Sequence, residues 1–297
     1  MRLQLATAGA AASLAAIPAL TPVATVSVGA GSGMLISAAG SVWTSDFTLG
    51  QVVRIDPKTN KVSRRIPLPA QPFGLTHGAG SVWVADREAN TMARIDPRTN
   101  RITKRIAIGF QSYGAAFGAG SVWVTSEADG TVRRISPKTN RVTKTIKVGA
   151  LPNGVVYAFG ALWVANLGSG GLVRLDVKTN RVTKRIKLAK VDWITPSPDA
   201  LWVSSETGQI FRVDPKSSAV VARVRVGANP LGSAWIGGEL WVPNIDDSTV
   251  SVVEPAQNTV RTTLTSGKGP LAIVSATGDA WISNSEEGTV WRVSPQQ

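Results

Sequence analysis

Small polar residues recur at one position of this chain, each three residues after a tryptophan. The tryptophans, which recur at a nearly constant interval, are Trp43, Trp83, Trp123, Trp163, Trp202, Trp241 and Trp281. The polar residues, which we call the collar, are Asp46, Asp86, Ser126, Asn166, Ser205, Asn244 and Asn284. Converging carboxylate, amide and hydroxyl groups could bind a ligand or a hard cation. The alternative is turn formation, because Asp, Asn and Ser side chains bond to nearby backbone.

A second recurring set lies ten residues before the tryptophans, or nine before them for two of its members. These residues, which we call the axial set, are Met34, Phe73, Tyr113, Asn153, Trp193, Leu231 and Leu271. Several stand in a Pro-x-Gly motif, in which glycine lets the backbone approach a crowded axis. Phe73, Tyr113 and Trp193 predict an aromatic patch that could stack on a sugar, a peptide side chain or a planar metabolite. The alternative is that the axial set plugs a central channel.

Few residues of the chain are suited to catalysis. It has no cysteine and one histidine, which excludes thiolate and multi-histidine metal sites. His77 precedes a turn at Gly78, so we expect it at the surface. Neither a glycine-rich phosphate loop nor a nucleophile elbow is present. We therefore predict no catalytic residues and no cofactor, with Asp46 and Asp86 as the only candidate ligands for Mg²⁺ or Ca²⁺.

The elements that position these residues are short strands. In the second repeat we predict strands over 74–77, 81–85, 91–96 and 101–108, separated by turns that contain Gly, Pro, Asp and Asn. The second strand is apolar on both faces, whereas the fourth alternates Arg, Lys or Thr with Val or Ile. Seven copies of a four-stranded repeat of about 40 residues predict an all-β, seven-bladed propeller.

The two ends of the chain predict how the ring closes. The last repeat stops at 294–295, before its fourth strand, and segment 23–29 has the character of the missing strand. Val28 lies 15 residues before Trp43, just as Val148 lies 15 residues before Trp163. The N-terminal strand should therefore pair with the last blade, which removes exposed sheet edges.

Segment 1–22 has the pattern of a leader. Met1 and Arg2 precede an Ala-rich apolar run, as in a secretory signal peptide, and Ala19 and Ala24 are candidate cleavage positions. The alternative is a disordered tail on a cytoplasmic protein. We predict a propeller domain over 23–297, without an integral membrane span in the mature chain. We expect a monomer that is exported to the extracellular space, the periplasm or the cell surface.

The formal net charge of +13 suggests anionic partners. The cations cluster on the predicted outer strands of the first four blades: Lys61, Arg64, Arg65, Arg101, Lys104, Arg105, Arg141, Lys144, Arg181, Lys184, Arg185 and Lys187. An anionic polymer such as DNA could bind there. The alternative is edge protection, because charged outer strands discourage aggregation through sheet edges.

The pattern Gly-x-Gly-Ser-Val-Trp-Val followed by Ile-Asp-Pro-x-Thr-Asn-x-Val resembles YVTN-type and streptogramin-lyase-like (virginiamycin B lyase-like) propellers over residues 23–295. The YVTN resemblance implies a surface-layer or DNA-binding-like role. The lyase resemblance implies elimination that opens a cyclic depsipeptide, a carbon–oxygen lyase reaction, with Mg²⁺, two histidines and a glutamate. Leu231 and Leu271 stand where the histidines are expected, and Asn284 where the carboxylate is expected, with Glu286 and Glu287 beyond it. Leucine cannot move a proton, so we do not carry the lyase chemistry over.

Three functions remain. The first is a non-catalytic, exported scaffold that binds a peptide, glycan or protein ligand through the funnel face of the channel, where loops on a rigid scaffold carry function. The second is a metal-dependent lyase, and the third is a binder of anionic polymers through the outer strands.

Overall fold

The computed structural model describes residues 17–168 and 171–295. These residues form seven antiparallel sheets of four strands and contain no helix. Each sheet is a blade, and the first strands of successive blades contact one another around the axis. The predicted all-β, seven-bladed propeller is confirmed.

The strands are numbered in chain order, and each blade runs from the axis outward. Blade 1 contains β2 (Ser32–Ala38), β3 (Ser41–Asp46), β4 (Gln51–Asp56) and β5 (Lys61–Pro67). Blade 2 contains β6 (Pro72–Gly78), β7 (Ser81–Asp86), β8 (Thr91–Asp96) and β9 (Arg101–Ala107). Blade 3 contains β10 (Ser112–Gly118), β11 (Ser121–Ser126), β12 (Thr131–Ser136) and β13 (Arg141–Lys147). Blade 4 contains β14 (Pro152–Ala158), β15 (Ala161–Asn166), β16 (Gly171–Asp176) and β17 (Arg181–Ile186). Blade 5 contains β18 (Val191–Pro196), β19 (Leu201–Ser205), β20 (Gln209–Asp214) and β21 (Ala219–Arg225). Blade 6 contains β22 (Ala234–Ile236), β23 (Glu239–Asn244), β24 (Thr249–Glu254) and β25 (Thr259–Thr265). Blade 7 contains β26 (Pro270–Ala276), β27 (Asp279–Asn284), β28 (Thr289–Val293) and β1 (Ala24–Ser27).

The core lies between the blades. Every residue of the second strands β3, β7, β11 and β15 is buried, because neighbouring blades cover both faces of these strands. The seven recurring tryptophans have at most 1% of their surface exposed. The fourth strands β5 and β9 are instead exposed except at two apolar positions each, Val62 and Ile66 in β5 and Ile102 and Ile106 in β9, as expected for strands that face solvent on one side.

Turn chemistry fixes where the third strand ends and the fourth begins. In blade 1 the backbone N–H of Lys58 donates to Asp56 Oδ1 over 2.8 Å, and the N–H of Asn60 donates to Asp56 O over 2.9 Å. Asn60 has a φ of 56°, in the left-handed region that Asn tolerates better than most residues. The motif Asp-Pro-x-Thr-Asn therefore makes the tight turn that its residue types predict.

The ring closes through the N-terminal strand, as predicted. β1 pairs antiparallel with β28, with Thr25 opposite Trp291 and Ser27 opposite Thr289. Val26, which points into the core, is 4% exposed. The fourth strand of blade 7 thus comes from the opposite end of the chain from its first three strands.

An arginine of the third strand joins each of five blades to the next. Arg94 Cζ lies 4.9 Å from the centroid of the Trp83 ring, and its Nη1 donates to Pro137 O and to Asn140 Oδ1 of blade 3, both over 2.9 Å. We call this arrangement the arginine latch. The same contacts are made by Arg54, Arg134, Arg212 and Arg292. The latch of Arg292 reaches the turn between β4 and β5 of blade 1 and so closes the ring a second time.

Two blades lack the latch for identifiable reasons. Arg174 of blade 4 stacks on Trp163 with its Cζ 5.8 Å from the ring centroid, but within the described residues it makes no hydrogen bond to blade 5. The turn of blade 5 has Ser218 where the other blades have Asn. Blade 6 has Val252 in place of the arginine. In addition, blade 7 takes its fourth strand from β1, so it has no turn between its third and fourth strands that could accept an arginine from blade 6.

Part of the predicted leader contacts the propeller. The backbone N–H of Leu20 donates to Thr265 O over 2.9 Å, and the Leu20 side chain, 4% exposed, joins the apolar cluster of blades 6 and 7. Residues 1–16, which carry most of the predicted signal peptide, lie outside the described residues. Nowhere in 17–168 or 171–295 does the chain form a helix long and apolar enough to cross a bilayer.

Candidate ligand-binding face

Strand register locates the residue of each first strand that faces the axis. This axial position follows the residue that pairs with the collar. In blade 5 Val191 pairs with Ser205, so Asp192 occupies the axial position and Trp193 the next one. Met34 is likewise one residue beyond the axial position of blade 1. The axial positions are therefore held by Gly33, Phe73, Tyr113, Asn153, Asp192, Leu231 and Leu271.

The backbones of neighbouring blades touch at the axis. A Cβ added to Gly74 would lie 2.0 Å from the carbonyl oxygen of Tyr113, and one added to Gly114 would lie 2.3 Å from that of Asn153. Both distances are far below van der Waals contact. The prediction that glycine after the axial residue lets the strands crowd together is confirmed.

The collar residues are buried, with at most 1% of their surface exposed. Asp46 Oδ1 accepts the N–H of Leu49 over 3.0 Å, within the hairpin that follows β3. The Ser126 hydroxyl donates to Phe110 O over 2.7 Å, in the loop that enters the same blade. The first bond lies within one hairpin and the second joins two loops of a blade, and both satisfy nearby backbone groups, as the turn alternative expects. A role of the collar in ligand binding stays a prediction.

The two collar carboxylates differ in their partners. Asp46 uses both oxygens, since Oδ2 accepts Gln51 Nε2 over 2.9 Å. Asp86 makes no side-chain hydrogen bond of good geometry; burial raises its pKa, and the nearby amides of Ala89 and Gln71 oppose that rise. Over the described ranges, no three His, Asp or Glu side chains lie close enough to hold a metal ion. The described residues thus offer no cluster of acidic or histidine side chains for the Mg²⁺ that the lyase resemblance implies.

The residues directly after the collar form a ring that the sequence analysis missed. Side chains alternate along a strand, so these residues point away from the collar and are only partly covered. We call them the mouth residues: Phe47, Arg87, Glu127, Leu167, Glu206, Ile245 and Ser285. They contact the axial residues. The ring centroids of Phe47 and Phe73 are 6.2 Å apart, and Arg87 Cζ lies 5.4 Å from the centroid of the Tyr113 ring. Their recurrence, once in each repeat, was visible in the sequence.

One part of the face is apolar and filled. Met34, Leu231 and Leu271 are 3%, 4% and 8% exposed and belong to one continuous cluster. The partly buried members of the same cluster include Phe47, Phe73, Trp193 and Ile245. Side chains from blades 1, 2, 5, 6 and 7 thus meet, which is the packing that the plugging alternative describes.

The other part of the face, on blades 2 to 5, is polar. Asn153 Nδ2 donates to Asp192 Oδ1 over 3.1 Å, and the two residues are 2% and 7% exposed. Asn153 Oδ1 is buried without a partner in the described structure. Burial raises the pKa of Asp192 to about 7; the hydrogen bond from Asn153 opposes this, and the charges of Glu206 and Glu127 add to it. Near neutral pH the Asp192 carboxyl therefore occurs in both its protonated and its charged form.

Tyr113 sits between aromatic and charged neighbours. The centroids of the Phe73 and Tyr113 rings are 4.4 Å apart, and Arg87, which covers Tyr113, lies 2.5 Å from Glu127. Burial raises the pKa of Tyr113 well above its usual value, and the charge of Asp192 adds to the rise. Burial also raises the pKa of Glu127, which Arg87 opposes. The phenol stays protonated and can act as a hydrogen-bond donor.

Trp193 and a loose ion pair complete the polar part. Trp193 is half-buried, and its backbone N–H donates to Ser204 Oγ over 3.1 Å, which fixes the start of its strand. Glu206 lies 3.9 Å from Lys190, and both side chains are exposed. This part of the face therefore offers an aromatic ring and a carboxylate to solvent.

The outer strands carry the predicted cations, all of them exposed. They lie on or directly after β5, β9, β13 and β17, which contain no acidic residue. The remaining outer strands differ: β21 has two arginines, β25 has one, and β1 has none. The cations thus form a continuous stretch over four of the seven blades, which we call the basic arc.

Of the residues that the lyase resemblance points to, those at the axis cannot accept a proton. Leu231 and Leu271 are packed in the apolar cluster. Glu286 and Glu287 are exposed in the hairpin after β27. His77 is exposed at the far end of β6, towards the face opposite the collar.

Comparison with known proteins supports the fold. No family model matches the chain, and no curated protein matches its sequence. A solved streptogramin B lyase is similar in structure, with a TM-score of 0.79 and 15% identity, over 89% of this chain and 93% of that chain. The hydrazine synthase of Kuenenia stuttgartiensis is also similar, with a TM-score of 0.79 and 14% identity, over 96% and 99%. At these identities the likeness shows a shared propeller fold.

Proposed function

We propose that this protein is a non-catalytic scaffold that binds a ligand through the polar part of its funnel face, on blades 2 to 5. The observation that carries the proposal is the buried Asn153–Asp192 pair, which leaves an acceptor without a donor at the axis. Tyr113, which lies near Asp192, and Trp193, which follows Asp192 in the chain, supply partly exposed aromatic rings. Ligand sites commonly combine apolar walls with a few buried polar groups that fix the ligand's orientation.

The fold favours such a role. The axial strands are held by backbone contact across blades, so the face loses little conformational freedom when a ligand binds. The aliphatic side chains on blades 6, 7 and 1 exclude water from one side of the axis. A peptide or a glycan could then stack on the rings and bond to the exposed polar atoms.

Tryptophan fluorescence tests this proposal. The seven recurring tryptophans are buried, whereas Trp193 is half-buried at the funnel face. We expect one of a panel of oligosaccharides and short peptides to change the fluorescence of the protein, and Trp193→Phe to abolish the change. Trp235→Phe is the matched control, since Trp235 is also half-buried but lines a groove on the opposite face. The proposal would be refuted if Trp235→Phe rather than Trp193→Phe abolished the fluorescence change, or if no probe changed the fluorescence.

We do not propose the lyase alternative. It requires a base at Leu231 or Leu271, and an aliphatic side chain cannot accept a proton. The likeness to the streptogramin B lyase, at 15% identity, concerns the fold. If the chain were nevertheless an enzyme, its chemistry would have to use other residues.

We also propose that the protein is exported, on the strength of Met1, Arg2 and the apolar run that follows them. Fractionation of cells that express the full chain tests this, with N-terminal sequencing of the exported form. Cleavage before Leu20 would keep its contact with blade 6. Protein found only in the cytoplasm with an intact N-terminus would contradict the proposal.

The basic arc supports a second function, binding of an anionic polymer. Edge protection is needed on every outer strand, yet the outer strands of blades 1 to 4 are richer in cations than those of blades 6 and 7. Blade 5 even exposes Val221 on its outer strand. A one-sided arc without carboxylates is what a polyanion surface requires.

Retention on heparin tests the basic arc. We expect elution above physiological salt, and a clear loss of retention in Lys144→Glu combined with Lys184→Glu, because each neutralised anionic group adds to the salt dependence of binding. Lys58→Glu combined with Lys216→Glu is the control; it changes the net charge equally in turns outside the arc. Equal losses in the two double variants would mean that retention reflects net charge alone.

A further inference from the structure

Asn153 and Asp192, two neighbouring buried residues of the funnel face, have unused capacity to accept hydrogen bonds. Asn153 Oδ1 has no partner in the described structure, although the residue is 2% exposed. The Asp192 carboxyl accepts one side-chain hydrogen bond, from Asn153, although it has room for about four. Buried acceptors without donors are unfavourable, and each unsatisfied group in a folded protein needs an explanation.

The charges around this pair are unevenly matched. Arg87 pairs with Glu127 at 2.5 Å, and Lys190 lies 3.9 Å from Glu206. Among the ion pairs of the described residues, none includes Asp192. Unlike Glu127 and Glu206 beside it, the buried Asp192 carboxyl thus has no cation as a partner.

We propose that the funnel face binds its ligand through a primary ammonium group, with the Asp192 carboxylate as counter-ion and Asn153 Oδ1 as a second acceptor. An ammonium group has three N–H donors and a positive charge, which supplies what both acceptors lack. The rings of Tyr113 and Trp193 suit an apolar or aromatic group attached to the amine. This inference rests on the proposed function and specifies its ligand class.

Binding of an ammonium group is linked to a proton at Asp192. The groups that face this carboxyl are Asn153 from β14, Tyr113 from β10, and Glu127 and Glu206 from the hairpins after β11 and β19. The two glutamates and burial favour the protonated carboxyl, whereas an ammonium ion favours the carboxylate. Near neutral pH the complex therefore forms with release of a proton from Asp192 to the buffer, and affinity rises with pH through about 7.

Calorimetry with three matched probes tests the inference on the full chain: phenethylamine, the neutral phenethyl alcohol, and the anionic phenylacetate. Titrations in two buffers of different ionisation enthalpy count the protons released. We expect phenethylamine to bind at least about tenfold more tightly than the other two probes, with proton release near neutral pH. Asp192→Asn should weaken phenethylamine binding by about tenfold or more and abolish the proton release.

Glu286→Gln is the matched control, because Glu286 is an exposed carboxylate on the same face in blade 7. It should leave binding and proton release unchanged. Equal affinity for phenethyl alcohol, unchanged binding in Asp192→Asn, or failure of phenethylamine to bind would each overturn the inference. A glycan or peptide that changes the Trp193 fluorescence, without an amine requirement, would overturn the inference and keep the proposed function. No response to any probe would overturn both.

Discussion

Asp192 is a carboxyl group that the fold buries without a cation. Burial raises its pKa from 3.8 to about 7, so the folded protein retains a proton that the unfolded chain releases between these values. Its contribution to stability is therefore complete below about pH 4 and is lost as pH rises through about 7. The lost free energy of unfolding amounts to as much as about 4 kcal/mol, since one pKa unit corresponds to about 1.4 kcal/mol.

Asp192→Asn should accordingly stabilise the protein at alkaline pH. The amide is close in shape to the carboxyl and carries no charge, so the variant should match the parent near pH 4 and exceed its melting temperature near pH 8. Thermal unfolding followed by circular dichroism at a series of pH values measures this difference. A variant that both gains stability and loses amine binding would show that the site is held at a cost to the fold.

Asp129→Asn provides the opposite sign as a control. The hydrogen bond from Arg133 lowers the pKa of Asp129, so this group stabilises the fold above its unfolded pKa and its contribution is lost as pH falls. Because the side chain is partly exposed, the loss in Asp129→Asn at neutral pH should be small. A gain in Asp129→Asn, or a pH-independent effect in Asp192→Asn, would contradict the assignment.

Sequence spacing identified most axial residues and missed the one with the most unusual chemistry. In blades 2 and 4 the axial residue lies between Pro and Gly, so the motif marks it. Blade 5 has Val191 and Trp193 at those positions, so no Pro-x-Gly motif identifies Asp192, and the neighbouring Trp193 was predicted in its place. The burial and the partners that make Asp192 distinctive come from other blades, which local sequence patterns do not report.

At the scale of elements, the strands follow from patterns of period two and from turn residues. The second strands and the Asp-Pro-x-Thr-Asn turns lie where their residue types predict. The arginine latch could not be predicted in the same way, since four latches join residues 43 and 46 positions apart and that of Arg292 joins residues more than 230 positions apart. The sequence reflects the latch at one point: Ser218 replaces the turn asparagine in the blade to which Arg174 makes no hydrogen bond.

The latch predicts unequal costs for equivalent arginines. Arg94→Ala removes two hydrogen bonds to blade 3 as well as the stacking on Trp83, and we expect a loss of about 2 to 4 kcal/mol in the free energy of unfolding. Arg174→Ala removes the stacking without such bonds, so we expect a loss of about 1 kcal/mol. Urea unfolding of the two variants measures both values.

Ser218→Asn should complete the missing latch. Ser218 has a φ of 58°, which Asn tolerates, so the new side chain can take the position that Asn140 has in blade 3. The gain in stability should depend on Arg174, and a double-mutant cycle with Arg174→Ala separates it from the conformational preference of Asn alone. Additive effects would mean that the turn residue does not accept from the arginine.

The whole molecule separates two kinds of surface. The basic arc lies on the outer strands of blades 1 to 4, whereas Asp192, Glu127 and Glu206 lie at the funnel face. The net charge of +13 reflects the cations of the first surface and does not reveal the acidic groups of the second. An amine ligand and an anionic polymer could therefore occupy the same protein without competing for residues.

Closure of the ring is a property of the whole chain, and a cross-link can test its register. The chain has no cysteine, so Ser27→Cys combined with Thr289→Cys introduces the only pair. These residues are direct partners between β1 and β28, so we expect a disulfide to form. Because it closes a loop of more than about 100 residues, it should stabilise the fold by about 5 kcal/mol, and reduction should remove this stabilisation.

Thr25→Cys combined with Thr289→Cys is the control: its residues are two positions out of register, about 7 Å apart or more, and should stay reduced. Equal oxidation of the two pairs would mean that β1 slides along β28, and the seventh blade would then lack the fixed fourth strand on which the closed ring depends.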